Sequence, residues 1–428
     1  MACRQDKFCV RLGVRFPIFP AAFMATIQPF AALRPDPALA ARICELPYDV
    51  MSTEEARRLA AGNPLSFLHV SKPEIDLPPG TDPYAPAVYL KGRENFNRLI
   101  AEGALRKDVR PCLYLYRQTM GSHSQTGVVA AASCSEYLEG RIRKHEFTRP
   151  EKEEDRVRHL EALNAQTGPA FLTYRAVTAL DEFVRRKSSG EPDVAFTAPD
   201  GVQHSAWTIG DREDIERIQT EFTRVPELYI ADGHHRSAAA ARVYRKRGGA
   251  GASAGFLGVL FPHDQLTILP YNRVLKDLNG LSTPQLVGRL DSMFVIQSDG
   301  HPAPLHPHQF GLYLDRRWHT LTLRPRFVAG KDAIEKLDTT LLQKLVLDPV
   351  FGISDPRRSE RIQFVGGIRG TDELEKRVDH DGWACAFSLC PMQIDDLMAV
   401  ADAGAMLPPK STWFEPKLRD AMFCRLLE

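Results

Sequence analysis

Short apolar runs separated by charged or turn-forming segments dominate the chain, and two such runs flank its most distinctive stretch. Leu228-Tyr229-Ile230-Ala231 reads as a buried strand, and the alanine-rich stretch 237–244 carries almost pure helix propensity. The turn between them, Asp232-Gly233-His234-His235-Arg236, therefore opens a helix. Elsewhere Ser52-Thr53-Glu54-Glu55 has the form of a capping box that starts a helix running through Leu59, and apolar residues at Val88, Leu90, Phe96, Leu99 and Ile100 predict a helix over 84–104. The runs 113–116 and 127–131 read as paired strands around a Gly121-Ser122 turn, and Asp200-Gly201 joins 194–197 to 203–207 as a hairpin. A helix over 212–223, strands at 255–261 and 266–269, and a hairpin of 311–314 with 319–323 complete a mixed α and β pattern.

At 428 residues the chain exceeds the usual size of one core, so two units are expected: 24–285, and an α+β unit over 286–428. Residues 1–23 hold four basic residues against the single acid Asp6, but charges and prolines interrupt any apolar run, which fits neither a signal peptide nor a span. They read as an extension before a start at Met24. With 55 basic against 54 acidic residues, no bulk field favours nucleic acid or an anionic membrane, so any anion site is local. Eight cysteines lie scattered without a C-x-x-C pair, which excludes a disulfide scaffold and a zinc ribbon and suits a reduced cytoplasm.

The amides of a helix's first turn lack internal partners and point outward with the positive end of the dipole, so the turn at Gly233 suits a phosphate, with Arg236 as a bidentate clamp. The bland alternative is a polar loop before an ordinary helix. Zinc is disfavoured, because His234 and His235 are adjacent and point different ways with no third ligand near. The loop bearing His301, His306 and His308 is rich in proline and reads as a connector. Three further segments carry chemistry: Leu46-Pro47-Tyr48-Asp49-Val50; Arg143-Lys144-His145-Glu146-Phe147-Thr148, continuing through Lys152, Asp155 and Arg156; and the Pro-stiffened stretch 406–417 with Lys410 and Lys417. By spacing alone the second is an exposed, ion-paired helix, and the third either closes over an anion or docks the tail.

Taken in order from Ile27 to Lys417, these landmarks resemble the domain of unknown function 1015 family. The Gly-His-His-Arg box is also similar to that of the ParB and sulfiredoxin-like superfamily, which includes free-serine kinases and CTP-binding partition proteins. That resemblance implies a nucleotide-binding core with an N-terminal elaboration. It makes Asp232, Gly233, His234, His235 and Arg236 the phosphate site and Glu146 the base, with His234, His235 and Arg236 assisting catalysis. Sulfiredoxin chemistry needs a cysteine where His234 stands, and the basic face of a partition protein is missing from so neutral a chain.

The expected activity is phosphoryl transfer from ATP or ADP, with Mg²⁺, to a small hydroxylated metabolite, in the manner of a free-serine kinase. Asp232 would hold Mg²⁺ or cap the helix. Arg156, Lys410 and Lys417 would bind phosphate or a substrate carboxylate, and Tyr48 with Asp49 an ammonium group. The rival reading is a regulator that binds a nucleotide or phosphometabolite without chemistry, and a third is a structural partner protein. No nucleic acid or membrane partner is expected.

Overall fold

The computed structural model describes residues 25–332, 334–408 and 410–428. The expected extension at 1–23 and the Met24 start lie outside them. Helices and strands are interspersed along the whole length, a mixed α+β architecture.

Nine strands form the larger sheet. Its order is Ile142–Arg143, Leu228–Asp232, Ala170–Tyr174, Gly255–Pro262, His123–Ser133, Leu113–Met120, Gln203–Ile209 and Val194–Thr197, with Ile27–Gln28 pairing the far end of His123–Ser133. Only two pairs are parallel: Leu228–Asp232 with Ile142–Arg143, and Gly255–Pro262 with Ala170–Tyr174. The central Gly255–Pro262 strand is buried at every position, as expected for a strand covered on both faces. One face packs under the helices Pro150–Leu163, Thr178–Lys187, Arg212–Phe222 and His234–Lys246, and small side chains at Ala238–Ala241 let the last of these approach closely. The other face is covered by the helix Ile394–Asp402 and by the tail, where Phe414, Leu418, Met422 and Phe423 are buried.

The second sheet has six strands, all antiparallel, ordered Phe294–Ser298, Arg317–Leu323, Gln309–Leu314, Cys385–Leu389, Tyr271–Leu275 and Ile362–Gly366. Thus Tyr271–Leu275 enters this sheet before residue 286. The tail crosses back, pairing Trp413–Glu415 with Thr267–Leu269 and Arg425–Leu426 with Ala165–Gln166.

The capping box at Ser52 is formed in full, and the helix after it runs Thr53–Ala60. The 84–104 periodicity corresponds to Pro86–Ala101, started by a proline at its first turn. The charged segment departs from the exposed-helix reading. Residues before Pro150 are not helical, His145 is buried, and within Pro150–Leu163 the side chains of Asp155, Val157, His159 and Leu160 face inward. The Arg156–Asp155 ion pair lies inward with them, while on the outer face Arg158 and Arg242 both reach Glu154. Among the described residues no helix is long and apolar enough to cross a membrane.

Candidate functional site

Gly233 is the N-cap of the His234–Lys246 helix at φ +91° and ψ +31°, left-handed backbone that glycine adopts without strain. The first intrahelical bond runs from the Ser237 amide to the Gly233 carbonyl, which leaves the amides of His234, His235 and Arg236 without partners among the described residues. The Gly233 amide donates to Asp232 Oδ1 at 2.8 Å.

Asp232 is held from both sides, because its Oδ2 accepts from Lys417 Nζ at 3.0 Å. Burial works against its ionisation, yet Lys417 and Arg236 outweigh that and hold the carboxyl well below the usual range. Asp232 therefore anchors the tail and pins the Gly233 amide, without capping the helix's first turn. Among the described residues no group of three His, Cys, Asp or Glu side chains could hold a metal ion, so the chain offers no protein cage for Mg²⁺ around Asp232.

The two imidazoles have different surroundings. His234 is 4% exposed; its Nε2 accepts from the His145 amide at 3.5 Å, and its ring meets that of His145 edge to face at 4.5 Å. Burial, with His145 beside it, drives the His234 pKa well below that of a free imidazole, so its ring is neutral and packs against His145. His235 is half-buried and faces the cleft, with its Nε2 accepting from the Arg149 amide at 3.0 Å. Accepting there puts its proton on Nδ1. Burial lowers its pKa too, with Asp49 opposing.

Arg236 does not point its fork outward. Nη1 donates to the Pro169 carbonyl at 2.6 Å, Nη2 lies 3.9 Å from Asp232 Oδ2, and Nε has no partner. Its guanidinium lies so close to Gly233 that a Cβ there would stand 3.0 Å from Nε.

A cleft of about 700 Å³ opens beside this helix start, against the six-stranded sheet. One wall carries Tyr48, Asp49, Glu146, Arg149, Lys152 and His235; the other carries Tyr271, Phe364, Arg377 and Lys410. Glu146 is 37% exposed and lies 3.9 Å from His234 Nδ1. Burial raises its pKa, against the pull of Lys410. The Lys410 loop is tied to the Glu146 segment by the Leu407 amide donating to the His145 carbonyl at 2.8 Å, and Lys410 Nζ lies over the Tyr271 ring at 5.4 Å.

Two candidates sit deeper. Arg156 donates twice to Asp155 Oδ2, at 2.9 and 2.7 Å, and its guanidinium lies 3.8 Å over the Tyr48 ring. Tyr48 and Arg156 both border two smaller cavities behind the cleft, of about 190 and 50 Å³. Lys417 belongs to the anchor, with its ammonium on Asp232 and over the Trp413 ring at 4.7 Å. Sequence reasoning named Lys152 within the charged segment without a role, and missed Arg149 as a second cleft cation, Tyr271 as a wall, and Asp420 in the innermost cavity. The two cations were visible in the charged segment, whereas no local signal marks Tyr271 or Asp420.

Residues 27–340 match the family described as "Protein of unknown function (DUF1015)". The chain belongs to that family. No curated protein matches it. Among solved structures it is similar to a free serine kinase in complex with AMP, at 15% identity and a TM-score of 0.33, covering 64% of this chain and 83% of that one. It is also similar to a conserved hypothetical protein from Pyrococcus furiosus, at 14% identity and 0.34 over 67% and 92%. SbnI with a C-terminal truncation from Staphylococcus aureus is similar at 11% identity and 0.38 over 68% and 85%.

Proposed function

We propose that the chain is a nucleotide-dependent phosphotransferase acting on a small hydroxylated metabolite, in the manner of a free-serine kinase. The observation that carries this reading is the row of three unpartnered amides at 234–236, beside a cleft with cations on both walls and the carboxylate of Glu146 on one of them. An anion at a helix N-terminus gains from the amides and from the dipole together. A cleft of this size lies within the range of nucleotide and cofactor pockets.

A bound ATP or ADP supplies the phosphoryl group and its leaving group. The chain's part is positioning and charge neutralisation, which dominate this class of chemistry. The amides of His234, His235 and Arg236 grip phosphate oxygens, and Arg149, Lys152 and Lys410 offset their charge from the cleft walls. Glu146 accepts the acceptor hydroxyl's proton; its raised pKa brings it nearer neutrality, where a general base works best. His234 keeps the Glu146 segment in place through the His145 amide. The described residues do not fit a metal cage, so Mg²⁺ would enter on the nucleotide's own oxygens.

Incubating purified protein with ATP or ADP and a panel of hydroxylated metabolites tests this reading by release of a phosphorylated product. Glu146→Gln is expected to lower kcat about 10²–10⁴-fold, the usual weight of a general base, with little change in nucleotide affinity. Nucleotide binding by calorimetry without turnover of any acceptor would replace the enzyme with the regulatory reading.

A further inference from the structure

Behind the cleft lies the cavity of about 50 Å³ bordered by Tyr48, Ser71, Arg156, Thr167, Gly168, Arg236 and Asp420. Roughly 10–15 Å³ of such volume accommodates one water, so this space holds several heavy atoms. Its lining is largely apolar, with Leu160, Ala170, Phe256 and Leu257 among it, but it carries unpartnered polar atoms. Of the eleven buried side-chain nitrogen and oxygen atoms without a hydrogen-bond partner among the described residues, three belong to this lining: Ser71 Oγ, Arg236 Nε and Asp420 Oδ1. Ser71 and Asp420 are each 3% exposed. A buried polar atom left unpaired is costly, so three around one void mark a place where a guest completes the hydrogen bonding.

The charges indicate what that guest carries. Arg156 and Arg236 supply two guanidiniums, while Asp420 supplies a carboxyl that is ion-paired with neither. The backbone fixes Asp420 firmly, through amide–carbonyl exchange with Glu45 and through the Ala421 amide on the Thr167 carbonyl. Gly168 makes room for it, since a Cβ there would stand 2.5 Å from Asp420 Oδ1. A molecule with an anionic group and a protonated amine satisfies both signs at once.

We propose that this inner cavity is the acceptor's pocket, in which Asp420 and Ser71 receive a protonated amine and the Arg156–Arg236 side receives a carboxylate. The proposal rests on the phosphotransferase reading for the word acceptor, but the pocket's selectivity stands or falls separately. Arg236 connects the two places: its side chain borders the cavity, and its amide belongs to the free row at the helix start. A hydroxyl on the guest thereby comes to lie on the phosphate side.

The test is calorimetric titration with three probes: L-serine, ethanolamine, which lacks only the carboxylate, and 3-hydroxypropionate, which lacks only the amine. Serine is expected to bind at least tenfold more tightly than either. Asp420→Asn should remove that advantage over 3-hydroxypropionate, and Ser71→Ala should reduce it several-fold, with both variants checked for native circular dichroism. Equal binding of serine and 3-hydroxypropionate, or serine binding untouched by both substitutions, overturns the pocket. So does binding of none of the three, which leaves ordered water only. Parallel titration with ATP separates the two ideas: serine binding without nucleotide binding keeps the pocket and removes phosphoryl transfer.

Discussion

Asp420 couples the fold to pH through its burial. Lack of solvent raises its pKa to about 7; Arg236 and Arg156 favour the ionised form, while Asp49 and Glu45 oppose it. Between the unfolded carboxyl's pKa and that value the native state binds the extra proton, so its contribution to stability falls as pH rises through the window. Asp420→Asn is therefore expected to gain on the parent by up to about 1.4 kcal/mol per pH unit from pH 4 to 7, read from urea melts at several pH values. His145 has the opposite sign. Its pKa is lowered to about 4 by burial, with neither ring nitrogen paired, so its share of stability is full above the unfolded value and is lost as pH falls towards 4. Nitrogen NMR at pH 5.5 should find the His145 and His234 rings neutral. None of this was legible in the sequence, because Asp420 stands among ordinary tail residues and acquires its character from partners near 45, 156 and 236.

The helix opening at Gly233 was legible, for the reason that local chemistry determines it: an apolar run, a glycine, then alanines. Which members of the box face the cleft was not legible. The first turn of a helix sends its side chains in different directions, so His234 goes to the interior, His235 to the cleft and Arg236 under the glycine. The charged segment misled for a related reason: alternating charge looks like a solvated face until Asp155 and Arg156 are seen turned inward beneath Tyr48. Gly233→Ala brings both a left-handed backbone penalty and a Cβ pressed on the Arg236 guanidinium. It is expected to cost about 1–2 kcal/mol in stability and to weaken nucleotide binding, as measured by thermal unfolding and calorimetry. Asp232→Ala frees the Gly233 amide and strands Lys417, which is 10% exposed, so about 2 kcal/mol or more is expected from the same measurement.

At the scale of the whole molecule, mixed α+β character was readable from alternating strand and helix patterns, as were both hairpins. The exchange of strands between sheets was not, since pairing of Thr267–Leu269 with Trp413–Glu415 joins segments far apart in the chain. That crossing makes the tail part of the first core. Deleting residues 411–428 should abolish cooperative unfolding altogether rather than trim a frayed end, because Phe414, Leu418, Met422 and Phe423 leave the core together. Nucleotide present at 100 times its Kd should raise stability by about 2.7 kcal/mol, which appears as a concentration-dependent shift in Tm. The return of the tail also bears on synthesis. Lys417 and Asp420 leave the ribosome after nearly everything they touch, so a nascent chain has its Gly233 turn unanchored and its inner cavity missing a wall until residues 417–420 have been added.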